Sequence, residues 1–161
     1  MLASYIIIGQ AIKQAVPQIQ WIDLDKGQLE DPERFNSIGV PGVLIGQSEI
    51  DWQQLGAGQQ QGTGTLTVEV VLRLPTQTHL TDPLLQDSLK ELELGDQINT
   101  AVLSVPGIKT LAHYSDYPEG TFYVLEHTYQ VSFKRGPGIT YKTVNVQLNP
   151  QLHNPNNQAT A

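Results

Sequence analysis

Apolar residues recur at helical spacing over the first sixteen positions. Leu2, Ile6, Gly9, Ile12 and Val16 form one stripe, with Ser4, Lys13 and Gln14 off it. This predicts a helix over 2–16, which Pro17 stops. The run 5–8 taken alone also fits a strand. Residues 19–24 read as a short strand and 25–33 as a turn-rich polar connection. A second short strand covers 40–45, and its Pro41 marks an edge or a strand start, since proline cannot donate to a ladder. Residues 47–64 show no period and read as a long loop, rich in Gly and Gln. Loops beyond about 12–15 residues in a compact domain are usually functional or disordered. The clearest strand is 65–74. Leu66, Val68, Val70, Leu72 and Leu74 share one face and Thr65, Thr67, Glu69 and Arg73 the other, with Val71 out of step.

Asp82-Pro83 reads as the N-cap and first residue of a second helical region, with Leu85, Leu89 and Leu92 as its stripe. Gly95 marks a break, 96–105 resumes through Ile98, Ala101 and Val102, and Pro106-Gly107 ends it. Strands follow at 108–117, 122–134 and 140–148. In the middle one Leu125, His127, Tyr129, Val131 and Phe133 alternate with polar residues. Residues 135–138, Arg-Gly-Pro-Gly, form a turn that pairs the last two strands as a hairpin. The order α-β-β-β-α-β-β-β predicts an α+β fold, one mainly antiparallel β-sheet with two helical regions packed on its apolar face. Residues 1–148 form a single domain, and 149–161 read as a flexible polar tail. The expected core sets Leu66, Val68, Val70 and Leu72 against Ile6, Ile12, Leu89 and Ile98.

Composition narrows the functional classes. The chain has 161 residues, with 9 Lys plus Arg against 16 Asp plus Glu, a net charge of −7. That balance argues against a grip on phosphates or on an anionic membrane surface. Charged residues make up only 16%, below the usual quarter, and Gln, Asn, Thr and Ser replace them. The absence of cysteine excludes disulfides, thiol catalysis and Cys-ligated metals. The longest apolar run, 5–8, falls far short of the ~20 residues of a membrane span. The opening residues lack the basic stretch and cleavage site of a signal peptide.

The motifs that carry chemistry fail one by one. Asp23-Leu-Asp25-Lys-Gly27 begins like a calcium loop, but the sixth position is Gln28 and the twelfth Arg34, which reads instead as a strand end entering a turn. Residues 56–64 are Gly-rich without matching a dinucleotide or phosphate-binding loop. His79, His113, His127 and His153 fall in separate elements, and His127, on an apolar face, reads as a hydrogen-bonded core residue. No serine stands in a nucleophile elbow, and the pairs Glu30/Asp31 and Glu91/Glu93 lie in solvated stretches. No catalytic, cofactor-binding or metal-binding residue is therefore expected. Trp52 stands out as a large aromatic in a polar loop, where it either plugs the core or anchors a partner.

Several short motifs together carry a resemblance. They are the opening helix with Ala11-Ile-Lys and Val16-Pro17, the strand Trp21-Ile-Asp-Leu-Asp25, Gly27-Gln-Leu29, Pro41-Gly-Val-Leu-Ile45, Asp51-Trp52, the Gln-Gly before the long strand, Pro106-Gly107 and Tyr129-Gln-Val-Ser-Phe133. Over about residues 3–134 the chain is similar to small virion proteins of tailed phages and prophages of Bacteroidetes-type bacteria. By element order it resembles tail-terminator (tail-completion) proteins. The stretch after Lys134 departs from that pattern.

The resemblance implies a structural ring subunit with no reaction and no cofactor. It would form a homo-oligomer, a hexamer, on the last ring of the tail tube. Its partners would be the tube protein and the head-tail connector protein, with DNA only passing through the lumen and no membrane involved. It would sit at the head-proximal end of the virion tail after synthesis in the host cytoplasm. Within this frame Asp51, Trp52, Gln53, Gln59 and Gln60 are the candidate assembly surface, and Glu69 and Glu126 the candidate lumen acids. The rival readings are a non-virion accessory or chaperone-like binding protein and another head-tail connector component.

Overall fold

The computed structural model describes residues 2–47, 50–76 and 78–137. The expected strand 140–148 and tail 149–161 lie outside them. The described part is α+β, with a mixed six-stranded sheet. Helix α1 (Leu2–Ala15) leads into β1 (Trp21–Leu24), the one-turn helix α2 (Pro32–Phe35), β2 (Gly42–Gln47), β3 (Asp51–Gly56) and β4 (Gln59–Arg73). Then come α3 (Leu85–Leu89), a 3-10 turn (Lys90–Leu92), α4 (Glu93–Leu103), β5 (Ile108–Glu119) and β6 (Phe122–Arg135). The strand order is β1-β2-β4-β6-β5, and β3 also pairs with β4. β1 and β2 are parallel, and every other pairing is antiparallel.

The central strand has the predicted faces from Leu66 to Leu72, but Leu74, expected on the apolar face, lies past the strand's end at Arg73 and is exposed. Leu66, Val68, Val70 and Leu72 are buried with Ile12, Ile98, Leu125, Tyr129 and Val131 beneath α1 and α4, which pack against each other. The Tyr129 hydroxyl, deep in this layer, donates to Asn99 Oδ1 on α4 at 3.0 Å. Two expected core members are corrected. α1 turns Ile8, Ile12 and Val16 inward and leaves Ile6 half-buried, because an i, i+4, i+8 line leads to Val16 from Ile8. Leu89 is exposed and Leu85 and Leu92 only half-buried, so α4 packs through Leu94, Ile98, Ala101 and Val102 instead.

The second helical region also starts and breaks elsewhere than predicted. Asp82 caps a turn, accepting from Leu84 N at 2.8 Å, and α3 begins only at Leu85. The irregularity falls at the 3-10 turn rather than at Gly95. Gly95 lies buried inside α4, where a Cβ would come within 2.5 Å of Leu125 Cδ1. The helix needs the missing side chain there to approach the sheet.

Val71 is explained by a second, smaller core on the opposite face. With Leu44 and Val124 it packs beneath Leu29 and Ile38 of the segment that carries α2. That segment is folded down rather than simply solvated. Gln28 is 4% exposed and holds it, donating to Leu24 O at 2.8 Å and accepting from Lys26 N at 2.5 Å. Asp31 caps α2 by accepting from Glu33 N, and Asp25 accepts from Gly27 N, so the calcium-like run is a turn as expected.

Candidate functional site

The largest departure from the sequence reading is at 47–64. Rather than one long loop, most of it is a hairpin. β3 pairs with the first part of β4, from Asp51 opposite Thr63 to Gly56 opposite Gln59. Its turn has positive φ at Gly56, Ala57 and Gly58, a conformation that glycine adopts without a steric cost. On its other side β4 continues beside β6, from Gln60 opposite Arg135. β2 and β3 thus follow one another along the same edge of β4. At about 3.3 Å per residue, the fifteen residues of β4 span roughly 50 Å. The outcome is a three-stranded arm, β3-β4-β6, that runs on past the strand positions covered by helices.

The predicted assembly residues gather on this arm. Asp51, Trp52 and Gln53 are exposed on β3, and Gln59 and Gln60 are half-buried on β4. Trp52 neither plugs the core nor stands free. It lies on the arm with Ile50 where Gly62 leaves room, since a Cβ on Gly62 would sit 2.6 Å from Ile50 Cγ2 and 2.9 Å from Trp52 Cζ3. Arg135 covers the indole from above, 4.1 Å from its centroid, and its Nε donates to Gln60 Oε1 at 2.6 Å. Trp52 remains 40% exposed and Leu55 49%, a large apolar offering for a strand with no core behind it. At the arm's root a largely apolar hollow of about 170 Å³ opens between Tyr5, Ile8, Leu66, Val131 and Phe133, with Asp25 and Lys26 also in its lining.

The opposite face of the arm and its neighbouring rows is mostly neutral, with Lys134 opposite Gln61 as its cation towards the arm's end. Cross-strand pairs there are Thr63 with Ser132, Thr65 with Gln130 and Thr67 with Thr128, and Gln61 Nε2 donates to Ser132 Oγ at 3.2 Å. The next row sets Glu69 directly opposite Glu126. Glu69 is half-buried rather than openly displayed. Its carboxyl is pushed up to about 7, first by burial and then by Asp25, Glu126 and Glu30, against a hydrogen bond from the Tyr117 hydroxyl. Burial, then Glu69, Glu126, Glu119 and Glu30, push Tyr117 up to about 12. The two candidate lumen acids therefore form one cross-strand pair, with Glu69 shielded by the segment after β1.

His127 is buried as expected, between the rings of Tyr114 at 5.1 Å and Tyr129 at 6.2 Å. Nδ1 has no partner among the described residues. Burial holds the ring's pKa below the ordinary value, and a hydrogen bond with the Val68 backbone works against that effect. His79 Nδ1 meets Thr81 Oγ1 at 2.9 Å, and His113 is exposed. Among the described residues no three His, Asp or Glu are placed to hold a metal ion, and no helix is long and apolar enough to cross a membrane. The partnership of Arg135 with Trp52 escapes the sequence reading, which puts Arg135 in the turn 135–138, whereas the structure makes it the last residue of β6, opposite Gln60.

Comparison of the chain with protein-family models and with curated proteins finds no match in either.

Proposed function

We propose that the chain is a structural ring subunit of the tail-terminator kind, which caps a tail tube and meets the head-side connector by assembly, without a reaction. The observation that carries this reading is the arm. A ribbon that displays Trp52 and Leu55 away from the protein's own core is built to bury them against another surface. Arg135 and Gln60 hold the Trp52 indole in one place, so less side-chain freedom is lost when a partner covers it.

The Thr, Ser and Gln rows of the opposite face support the same reading. Lining a lumen, the rows from Thr63 to Thr67 would offer passing DNA neutral side chains, with Lys134 in the adjoining row, so few charge contacts would hold the duplex in place. The net charge of −7 points the same way. The partners in this reading are further copies of the chain in a hexamer, a tube protein and a connector protein, at the head-proximal end of a virion tail.

Negative-stain microscopy of the purified protein tests it. Closed rings with an open centre are expected. Isolated small particles at concentrations well above micromolar would count against a ring subunit.

A further inference from the structure

We infer that neighbouring subunits join head to tail. The arm of one copy packs its exposed Trp52 and Leu55 on a group of exposed leucines at the opposite end of the sheet in the next copy; the inference rests on the ring reading and names how its subunits meet. β4 ends at Arg73, the far end from the turn at Gly56–Gly58, so the two ends of the strand lie roughly 50 Å apart. Leu74 follows directly, its N–H donating to Thr121 O at 3.3 Å. Arg73 N donates to Glu91 Oε2 at 3.4 Å, which brings the 3-10 turn to the same end.

Leu74, Leu80, Leu84 and Leu89 are exposed on the segment between β4 and that turn, Leu80 by 85%. The backbone beneath them is fixed by successive turns. Asp82 N donates to His79 O at 2.8 Å, Leu85 N to Asp82 O at 3.1 Å and Leu84 N to Asp82 Oδ1 at 2.8 Å. Apolar side chains displayed on a fixed backbone lose less freedom when a partner covers them. The arm displays Trp52, held by Arg135, and Leu55. One chain thus carries two separate apolar patches, one at each end of its longest strand.

Charge decides which patch meets which. Among the described residues of the arm, Lys134 and Arg135 outnumber Asp51. At the leucine end Asp82, Glu91, Glu93 and Glu119 outnumber Arg73 and Lys90, Glu119 lying opposite Phe122 and Phe122 opposite Arg73. Arm against arm, or leucine end against leucine end, sets like charges together, which is disfavoured across an interface. Arm against leucine end sets opposite signs together. Such a contact uses two different patches of each subunit. Repeated with a rotation that closes, it makes a ring, whereas a self-complementary patch stops at a pair.

Two half-disabled chains test the joint. Trp52→Ala removes the arm's anchor and keeps the leucines. Leu80→Ser with Leu84→Ser removes the leucines and keeps the arm. None of these side chains belongs to either core, so both variants should fold and melt close to the parent. By light scattering each alone should stay at the 17.7 kDa subunit mass at concentrations where the parent assembles. Mixed in equal amounts they should form a species of twice the subunit mass and nothing larger, because one intact arm and one intact leucine end make a single joint. A leucine variant that assembles like the parent, or a mixture that stays at the subunit mass well above those concentrations, overturns the inference. Parent rings without pairing in the mixture would leave the ring reading standing and remove this joint. Pairing in the mixture, with a parent that grows into open filaments, would uphold the joint and remove the ring reading.

Discussion

The guanidinium of Arg135 lies over the indole of Trp52, with 4.1 Å between Cζ and the ring centroid, and donates through Nε to Gln60. One side chain of β6 thereby ties β3 to β4 at the exposed end of the sheet. A cation over an exposed indole contributes about 0.5–1 kcal/mol. The importance of the contact lies in where it holds the ring. Trp52→Ala should lower unfolding stability by roughly 1 kcal/mol or less, yet strip the subunit of self-association. Urea titration and sedimentation velocity measure the two effects. Unchanged assembly of the variant would remove Trp52 from the interface.

Gly62 offers a second route to the same ring. A methyl group there would meet Ile50 and Trp52 at less than 3 Å. Gly62→Ala should therefore push the indole off the arm, seen as a changed indole fluorescence in a Trp21→Phe background. The buried core below Leu66 should be spared, so the unfolding midpoint should move by less than in Val70→Ala. A midpoint that falls as far would mean that the arm and the core are one packed unit.

The two faces of β4 should differ in cost. Val70 is fully buried, and Val70→Ala should destabilise by roughly 1–3 kcal/mol through lost burial and a cavity. Thr67, half-buried on the opposite face, should change stability by no more than about 0.5 kcal/mol as alanine. Equal losses in urea unfolding would contradict the assignment of faces.

Glu69 gives a pH signature. Its ordinary pKa of 4.5 rises to about 7 in the folded protein. Between those values the folded chain keeps a proton that the unfolded chain has released, so this group makes stability fall as pH rises through that window. Glu69→Gln should melt higher than the parent at pH 8 and approach it at pH 4. His127 acts in the opposite sense. Its lowered pKa costs stability as pH falls below 6.5, but it is present in both proteins and drops out of the comparison. A difference in melting temperature that is the same at both pH values would show that the carboxylate cluster is not responsible.

Legibility of the fold followed how distinct the two faces of each element are. β4 from Leu66 to Leu72 could be read because its even positions are uniformly apolar. Val71 broke the pattern because Leu44 and Val124 build a second core that a single strand cannot announce. β3 and the start of β4 could not be read as strands, because Gln and Gly stand on both sides where no core lies behind them. The phase of α1 was ambiguous across three consecutive isoleucines, and only burial distinguishes Ile8 from Ile6. Trp52 was legible as an oddity. Its partner was not, because Arg135 meets it through a strand register that the sequence does not display.

Solution mass bears most directly on the central claim. Light scattering of the full chain at micromolar concentration should give a closed species near six times the 17.7 kDa subunit, about 106 kDa. The same species should fall to the subunit mass with Trp52→Ala. A parent protein that stays at 17.7 kDa across the concentration range would contradict the account.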